Sequence, residues 1–103
     1  MLIYISGTES YYDYQSAELW LSKEGYHFID PHFLVNVCPF FTEEQKMTQR
    51  YELIQMADGI FMLHDWQKVK SASAELSFAK SLGKKVIYQD YYGRNKREQS
   101  ETL

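Results

Sequence analysis

Glu75 is the residue whose type and position most directly suggest chemistry. It lies between an apolar segment, residues 59–63, and a segment of helical spacing that ends at Gly83. In an α/β protein, the passage from a strand into the next helix lies at the sheet edge where ligands bind. The amides of a first helical turn stabilise negative charge, so we expect an ionised carboxylate of low pKa, available as an anion or a nucleophile. Glutamate is also common in first turns because of the helix dipole alone, so a purely structural role stays open.

Other residue types with nucleophilic or metal-binding chemistry form no constellation. Cys38 is the only cysteine and lies in an apolar run, which is more typical of a core residue than of a nucleophile. It permits no intrachain disulfide, so we expect a reducing compartment, the cytoplasm. The histidines lack the spacing of metal ligands: His27, His32 and His64. We therefore expect neither a metal nor a cofactor.

Length and charge limit the classes of partner. The 103 residues are enough for one domain, and the net charge is −3. An acidic chain disfavours nucleic acid and anionic membranes as main partners. Because the apolar amino-terminal residues begin at once as a short strand, we expect neither a signal peptide nor a membrane span. Aromatic residues make up 17% of the chain, more than a small core needs, so some are expected to line a pocket or an interface.

Apolar periodicity predicts alternating strands and helices. Thr42 and Gln45 have the spacing of a capping box, and Gly25 is a good helix stop. The predicted strands are residues 2–6, 26–29, 59–64 and 85–88, with helices around residues 14–24, 42–54 and 71–82. This order predicts a three-layer α/β fold of the flavodoxin or Rossmann type, with helices on both faces of a parallel sheet in the order 2-1-3-4. Tyr4, Gly7 and Trp66 should then join Glu75 at the carboxyl edge of the sheet.

Two segments do not belong to that minimal fold. Residues 30–41 form an apolar loop, which can serve as a lid over a ligand, pack on its own core or contact a second subunit. Because an exposed apolar loop is costly in a monomer of this size, we expect a homodimer or a larger homo-oligomer. Residues 1–92 form the predicted domain. Residues 93–103 form a polar tail, which we expect to be frayed and solvated, although in an oligomer it could close a neighbour's pocket.

Four segments carry a family resemblance. They are residues 1–7 (Met-Leu-Ile-Tyr-Ile-Ser-Gly), residues 25–31 (Gly-Tyr-His-Phe-Ile-Asp-Pro), residues 57–63 (Ala-Asp-Gly-Ile-Phe-Met-Leu), and Trp66 followed nine residues later by Glu75, then by Ala79, Gly83 and residues 86–88. In this order they resemble the nucleoside 2-deoxyribosyltransferase-like proteins over most of the chain. The resemblance implies a nucleoside or nucleotide as the small-molecule partner.

The implied chemistry is cleavage or exchange of the N-glycosidic bond of a 2′-deoxynucleoside or its 5′-monophosphate. Glu75 matches the glutamate that attacks the anomeric carbon and forms a covalent sugar ester. Tyr4 matches a tyrosine near that nucleophile. Gly7 would let a ligand approach the backbone.

Further residues are candidates for contacts with the ligand. Tyr11, Tyr12 and Trp66 could stack on a base or enclose it, although ordinary packing explains each equally well. Lys70, Ser71 and Ser73 could bind a phosphate at the amino terminus of the third helix, where free amides point outward.

The chain also departs from the family pattern. Val69 stands where a serine or aspartate is common, Ser71 and Ser73 stand where glycines are common, and Arg50 stands where an aspartate commonly assists the leaving base. Since general acid catalysis contributes roughly 10²–10⁴-fold, its loss implies a slow enzyme or none. An N-glycosidic enzyme and a catalytically silent nucleotide-binding module therefore both stay open. A protein-interaction domain is less favoured because it explains neither Trp66 nor Glu75.

Overall fold

The structure is a computed structural model that describes residues 1–7, 11–31, 40–89 and 95–97. Its strands are β1 (Leu2–Ser6), β2 (His27–Ile29), β3 (Gly59–Met62), β4 (Lys85–Gln89) and β5 (Asn95–Arg97). Its helices are α1 (Tyr11–Lys23), α2 (Glu43–Met56) and α3 (Lys70–Ser81), with a 3₁₀ turn at Trp66–Lys68 between β3 and α3.

The sheet has the order β2-β1-β3-β4-β5. Strand β1 pairs in parallel with β2 on one side and β3 on the other, and β3 pairs in parallel with β4. The predicted parallel order 2-1-3-4 is confirmed. At the carboxyl edge, Ser6 of β1 lies beside Met62 of β3, so the loops that follow these central strands start next to each other.

Strand β5 extends the sheet beyond the predicted four strands. Asn95–Arg97 pair antiparallel with β4, with Tyr88 opposite Lys96. The prediction of a frayed tail is therefore wrong for these three residues. The outer edge of β4 presents backbone donors and acceptors that any extended segment can satisfy. Such pairing requires no apolar alternation, which explains why the side-chain pattern does not reveal it.

Alternate residues of the central strands form two apolar layers. On one face, Ile3, Ile5 and Phe61 are fully buried against α1. On the other face, Tyr4, Ile60, Met62 and Val86 pack with apolar residues of α2 and α3. Strands buried on both faces are continuously apolar, as parallel sheets covered by helices require. The predicted helices on both faces are confirmed.

The start of α2 follows the predicted capping box. The Thr42 backbone N–H donates to Gln45 Oε1 at 2.8 Å, and the Gln45 N–H donates to Thr42 Oγ1 at 3.1 Å. These bonds satisfy two amides at a helix end that has no internal partners for them. They also fix where α2 starts after the apolar loop. Residues 32–39, the middle of that loop, lie outside the described residues. The predicted roles of the loop as a lid or as an interface fall on these residues and stay predictions.

Candidate active site at the carboxyl end of strand β1

The carboxylate of Glu75 is held by two side chains from different elements. Ser6, the last residue of β1, donates its hydroxyl to Glu75 Oε1 at 2.8 Å. Arg50 of α2 donates Nε–H to Glu75 Oε2 at 3.0 Å. Glu75 itself comes from α3 and is 4% exposed. Thus β1, α2 and α3 converge on one buried carboxylate.

Glu75 lies deeper in its helix than the sequence suggests. Helix α3 begins at Lys70, so Glu75 belongs to its second turn rather than its first. The stabilisation of negative charge by helix amides decreases beyond the first turn. The prediction of a first-turn carboxylate is wrong. What holds the charge is the ion pair with Arg50 and the hydrogen bond from Ser6.

Burial raises the pKa of the Glu75 carboxyl above its ordinary range. The hydrogen bond from Ser6 and the charge of Arg50 act in the opposite direction but do not cancel the desolvation. The expected low pKa is therefore wrong in direction. A carboxylate of raised basicity is a better nucleophile when ionised.

Tyr4 places a second titratable group in the same site. It is fully buried on β1, two residues before Ser6, and its side chain therefore projects to the same face of the sheet. Burial raises the pKa of the Tyr4 hydroxyl, and the negative charge of Glu75 raises it further. Tyr4 Oη lies near enough to Glu75 for a hydrogen-bonding interaction to contribute to both pKa shifts, but it forms no hydrogen bond of good geometry with the described residues. A buried hydroxyl without a partner costs about 1–3 kcal/mol, which a ligand could recover.

Comparison with known families places the chain in one of them. A family model described as a domain of unknown function (DUF4406) matches residues 1–88. The chain belongs to the DUF4406 family. No curated protein and no solved structure matches it. The matched region contains β1 to β3, both helices that contribute to the site, and β4 up to Tyr88, whereas β5 follows it.

Gly7 of this DUF4406 protein has a packing role that the sequence analysis does not predict. Its φ is +148°, and an added Cβ would lie 2.5 Å from Leu63 Cβ. Real Cβ atoms do not approach that closely, because the side chain of the core residue Leu63 already fills the position that a Cβ of residue 7 would need. Close packing against Leu63 is therefore enough to explain why residue 7 is a glycine. The predicted approach of a ligand at Gly7 is not needed for that explanation.

Trp66 is half-buried and packs against the apolar cluster that contains Tyr4. Its ring centroid lies 6.1 Å from that of Tyr88. Trp66 therefore packs on the same side of the sheet as Glu75, and its predicted contact with a base stays a prediction. Tyr11 and Tyr12 begin α1, but their side chains lie outside the described part of the chain.

The predicted phosphate-binding residues open α3. Lys70 and Ser71 are exposed and Ser73 is half-buried. Val69 is the N-cap residue and provides no side-chain cap. Nothing in the described contacts connects these residues to the carboxylate of Glu75. Their role stays a prediction.

The sequence analysis did not place Ser6 or Arg50 in contact with the Glu75 carboxylate, and it did not predict the contacts of His64. Ser6 is a polar residue at the end of a buried strand, and that contrast is the signal that could have identified it. Arg50 lies one turn before the core residue Ile54, which indicates a side chain directed toward the interior. His64 lies just after β3, with Nε2 3.2 Å from Asp65 Oδ2 and Nδ1 3.2 Å from Gln89 Oε1.

The raised pKa of Glu75 predicts how stability depends on pH. Between the ordinary value of 4.5 and the higher folded-state value, the folded protein binds this proton more tightly than the unfolded chain does. The free energy of unfolding of the wild type should therefore fall relative to that of Glu75→Gln as pH rises from about 4.5 to 7. Urea denaturation of both proteins measures this difference. A difference that grows in the opposite direction would mean that Arg50 outweighs desolvation.

Proposed function

We propose that this protein cleaves or exchanges the N-glycosidic bond of a 2′-deoxynucleoside or its 5′-monophosphate, with Glu75 as the nucleophile. The observation that supports this most is the buried Glu75 carboxylate, fixed by Ser6 and Arg50 beside an unpartnered Tyr4 hydroxyl. This arrangement lies at the carboxyl end of β1, at the sheet edge where parallel sheets bind ligands. The resemblance of the surrounding segments to nucleoside 2-deoxyribosyltransferase-like proteins supplies the substrate class.

The proposed reaction has two halves. A Glu75 oxygen attacks C1′ of the sugar, a C–O ester bond forms, and the C1′–N bond breaks with its electron pair retained by the base, which takes a proton from water. Water, or a second base, then attacks C1′. The ester bond breaks, the carboxylate is restored, and the attacking group loses a proton to solvent. No oxidant or reductant is required.

The hydrogen bonds of Glu75 are compatible with this role. The two oxygens of an ionised carboxylate offer about four acceptor directions, of which Ser6 and Arg50 occupy one each. An oxygen can therefore attack without losing its partner. Ser6 orients Oε1, while Tyr4 can donate its free hydroxyl to the sugar or to the carboxylate. Because burial raises the pKa of the Tyr4 phenol, it serves as a hydrogen-bond donor rather than as the acid for the leaving base.

A second candidate function has support from Arg50. The guanidinium occupies the place of the family's acidic residue and neutralises Glu75, which is only 4% exposed. A site held closed in this way would bind a nucleotide without attacking its sugar. The protein would then be the catalytically silent nucleotide-binding module.

Incubation with 2′-deoxynucleosides and their 5′-monophosphates distinguishes the two candidates. We expect free base to appear from at least one compound, as measured by liquid chromatography. Reactions with and without a second base as acceptor separate transfer from hydrolysis. Binding of a nucleotide with no free base after hours would exclude the enzyme and support the silent module.

We also propose that the protein is a cytoplasmic homodimer or larger homo-oligomer. Large apolar side chains are exposed on the described surface, including Leu19 at 66%, Phe40 at 94% and Met56 at 68%. Burial of such side chains between copies is favourable. No helix in the described residues is long and apolar enough to cross a membrane. Light scattering should give at least twice the chain mass of 12.3 kDa, and the mass of a monomer at micromolar concentration would contradict the proposal.

A further inference from the structure

We propose that Arg50 binds the phosphate monoester of the substrate and that its ion pair with Glu75 is a resting contact that this phosphate displaces. The inference rests on the proposed function and narrows its substrate class to 2′-deoxynucleoside 5′-monophosphates. It assigns a specificity role to a residue that departs from the pattern of the proteins that the chain resembles.

Arg50 has binding capacity that the protein does not use. Its recorded hydrogen bond goes from Nε to Glu75 Oε2, and the guanidinium makes no other hydrogen bond or ion pair with the described residues. An arginine carries five N–H donors in a planar fork. The terminal nitrogens are therefore available for a second anion, and that fork matches the oxygens of a phosphate.

Exposure differs between the two members of the ion pair. The Arg50 side chain is 21% exposed, whereas that of Glu75 is 5% exposed. An anion that enters from solvent therefore reaches the guanidinium before it reaches the carboxylate. Arg50 is the outer member of the pair and Glu75 the inner one.

The charges favour exchange of partners with a phosphate monoester. Near neutral pH such a group carries about −1.5 to −2 charges, more than the single charge of Glu75. A guanidinium that turns to the phosphate gains charge-assisted hydrogen bonds and leaves Glu75 held by Ser6. A nucleoside without phosphate has no anion to compete, so the ion pair stays closed and the carboxylate stays neutralised.

One substrate can contact both groups once the guanidinium moves away from the carboxylate. Nε and Oε2 are 3.0 Å apart, and in a nucleotide the 5′-phosphate is separated from C1′ by the sugar ring. The phosphate can therefore draw the guanidinium outward along its flexible stem while C1′ comes to lie at Glu75. Arg50 thus binds the phosphate, and its movement away from Glu75 makes the carboxylate available for attack on C1′.

Titration calorimetry on Arg50→Gln tests the inference without relying on turnover. The ligands are the four common 2′-deoxynucleoside 5′-monophosphates and their parent nucleosides. We expect wild-type protein to bind at least one monophosphate roughly ten- to a hundredfold more tightly than its nucleoside, as a charge-assisted contact predicts. In Arg50→Gln the ratio should fall to about twofold or less. Lys46→Gln, which removes a cation one turn earlier on the same helix, should keep the wild-type ratio.

A double variant protects the experiment against unfolding. Arg50→Gln alone leaves Glu75 buried without its cation, whereas Arg50→Gln combined with Glu75→Gln leaves a neutral pair. The double variant should show the same loss of phosphate preference with an unchanged circular dichroism spectrum. An undiminished preference in either folded variant would overturn the inference.

Base-release assays separate this inference from the proposed function. Base release from nucleosides and monophosphates alike, with a ratio that Arg50→Gln does not change, would overturn the role of Arg50 and leave the role of Glu75 standing. An Arg50-dependent preference for monophosphates without any base release would support the role of Arg50 and overturn the enzyme. Equal binding of both ligand classes by wild-type protein would overturn the inference directly.

Discussion

Replacing Glu75 by glutamine should reduce base release by at least about three orders of magnitude while the protein stays folded. An amide oxygen cannot form the sugar ester that the proposed mechanism requires, because it lacks the negative charge and basicity of the carboxylate. Glutamine nonetheless has the same shape and an oxygen that can accept the hydrogen bond from Ser6. The change therefore removes the reacting group with the least disturbance of its surroundings.

The measurement is the rate of free-base formation from the best substrate, followed by liquid chromatography. Glu52→Gln is the matched control, since it removes one carboxylate from an exposed position on α2 and should leave the rate unchanged. Mass spectrometry of wild-type protein quenched during turnover should show a deoxyribosyl group on Glu75. A Glu75→Gln variant with more than about a tenth of the wild-type rate would exclude Glu75 as the nucleophile.

Glu75→Ala is a less suitable variant, for a reason that only the structure provides. A solvent-facing first-turn residue would contribute only about 0.3–1 kcal/mol through the dipole. In the folded protein the carboxylate is buried and paired, so alanine would leave the partly exposed Arg50 guanidinium and the Ser6 hydroxyl without their partner. We expect that to cost about 1–3 kcal/mol of unfolding free energy. Loss of activity in Glu75→Ala would therefore mix chemistry with stability.

The sheet could be predicted from sequence because its signal is local and repeated. Residues 2–6 and 59–63 are almost continuously apolar, which is typical of strands covered on both faces. Helical spacing between the strands requires parallel crossovers, and the handedness of those crossovers limits the strand order to few choices. The capping box at Thr42 is local as well, and the structure contains it.

The contacts of the site could not be predicted because they join residues distant in sequence. The bond between Ser6 and Glu75 spans 69 positions, and the bond between Arg50 and Glu75 spans 25. A pattern of residue types identifies Arg50 as a departure from the nucleoside 2-deoxyribosyltransferase-like proteins that the chain resembles, but it does not show which carboxylate Arg50 pairs with. The pKa of Glu75 is raised by burial, whereas the sequence led us to expect a lowered pKa. This shift could not be predicted either, because desolvation depends on how residues distant in sequence pack in all three layers.

Replacing Gly7 by alanine should lower the free energy of unfolding by about 2–4 kcal/mol, since it combines backbone strain with overpacking. The φ of +148° is one that residues with a Cβ rarely adopt, and the new Cβ would meet Leu63 Cβ at 2.5 Å. Neither atom is the end of a flexible side chain, so the backbone of the first loop or of the end of β3 must move. Urea denaturation followed by circular dichroism measures the loss.

Gly25→Ala separates the two causes. Gly25 has a φ of +81°, but an added Cβ would meet nothing within 4 Å, so only the backbone strain of about 1–2 kcal/mol remains. A loss in Gly7→Ala that clearly exceeds the loss in Gly25→Ala assigns the excess to Leu63 and to core packing. If Gly7→Ala instead kept wild-type stability but lost nucleotide binding, the glycine would serve the approach of a ligand. Because Leu63 N–H donates to the carbonyl of Ser6 at 2.8 Å, displacement of Leu63 should also disturb the residue that holds Glu75.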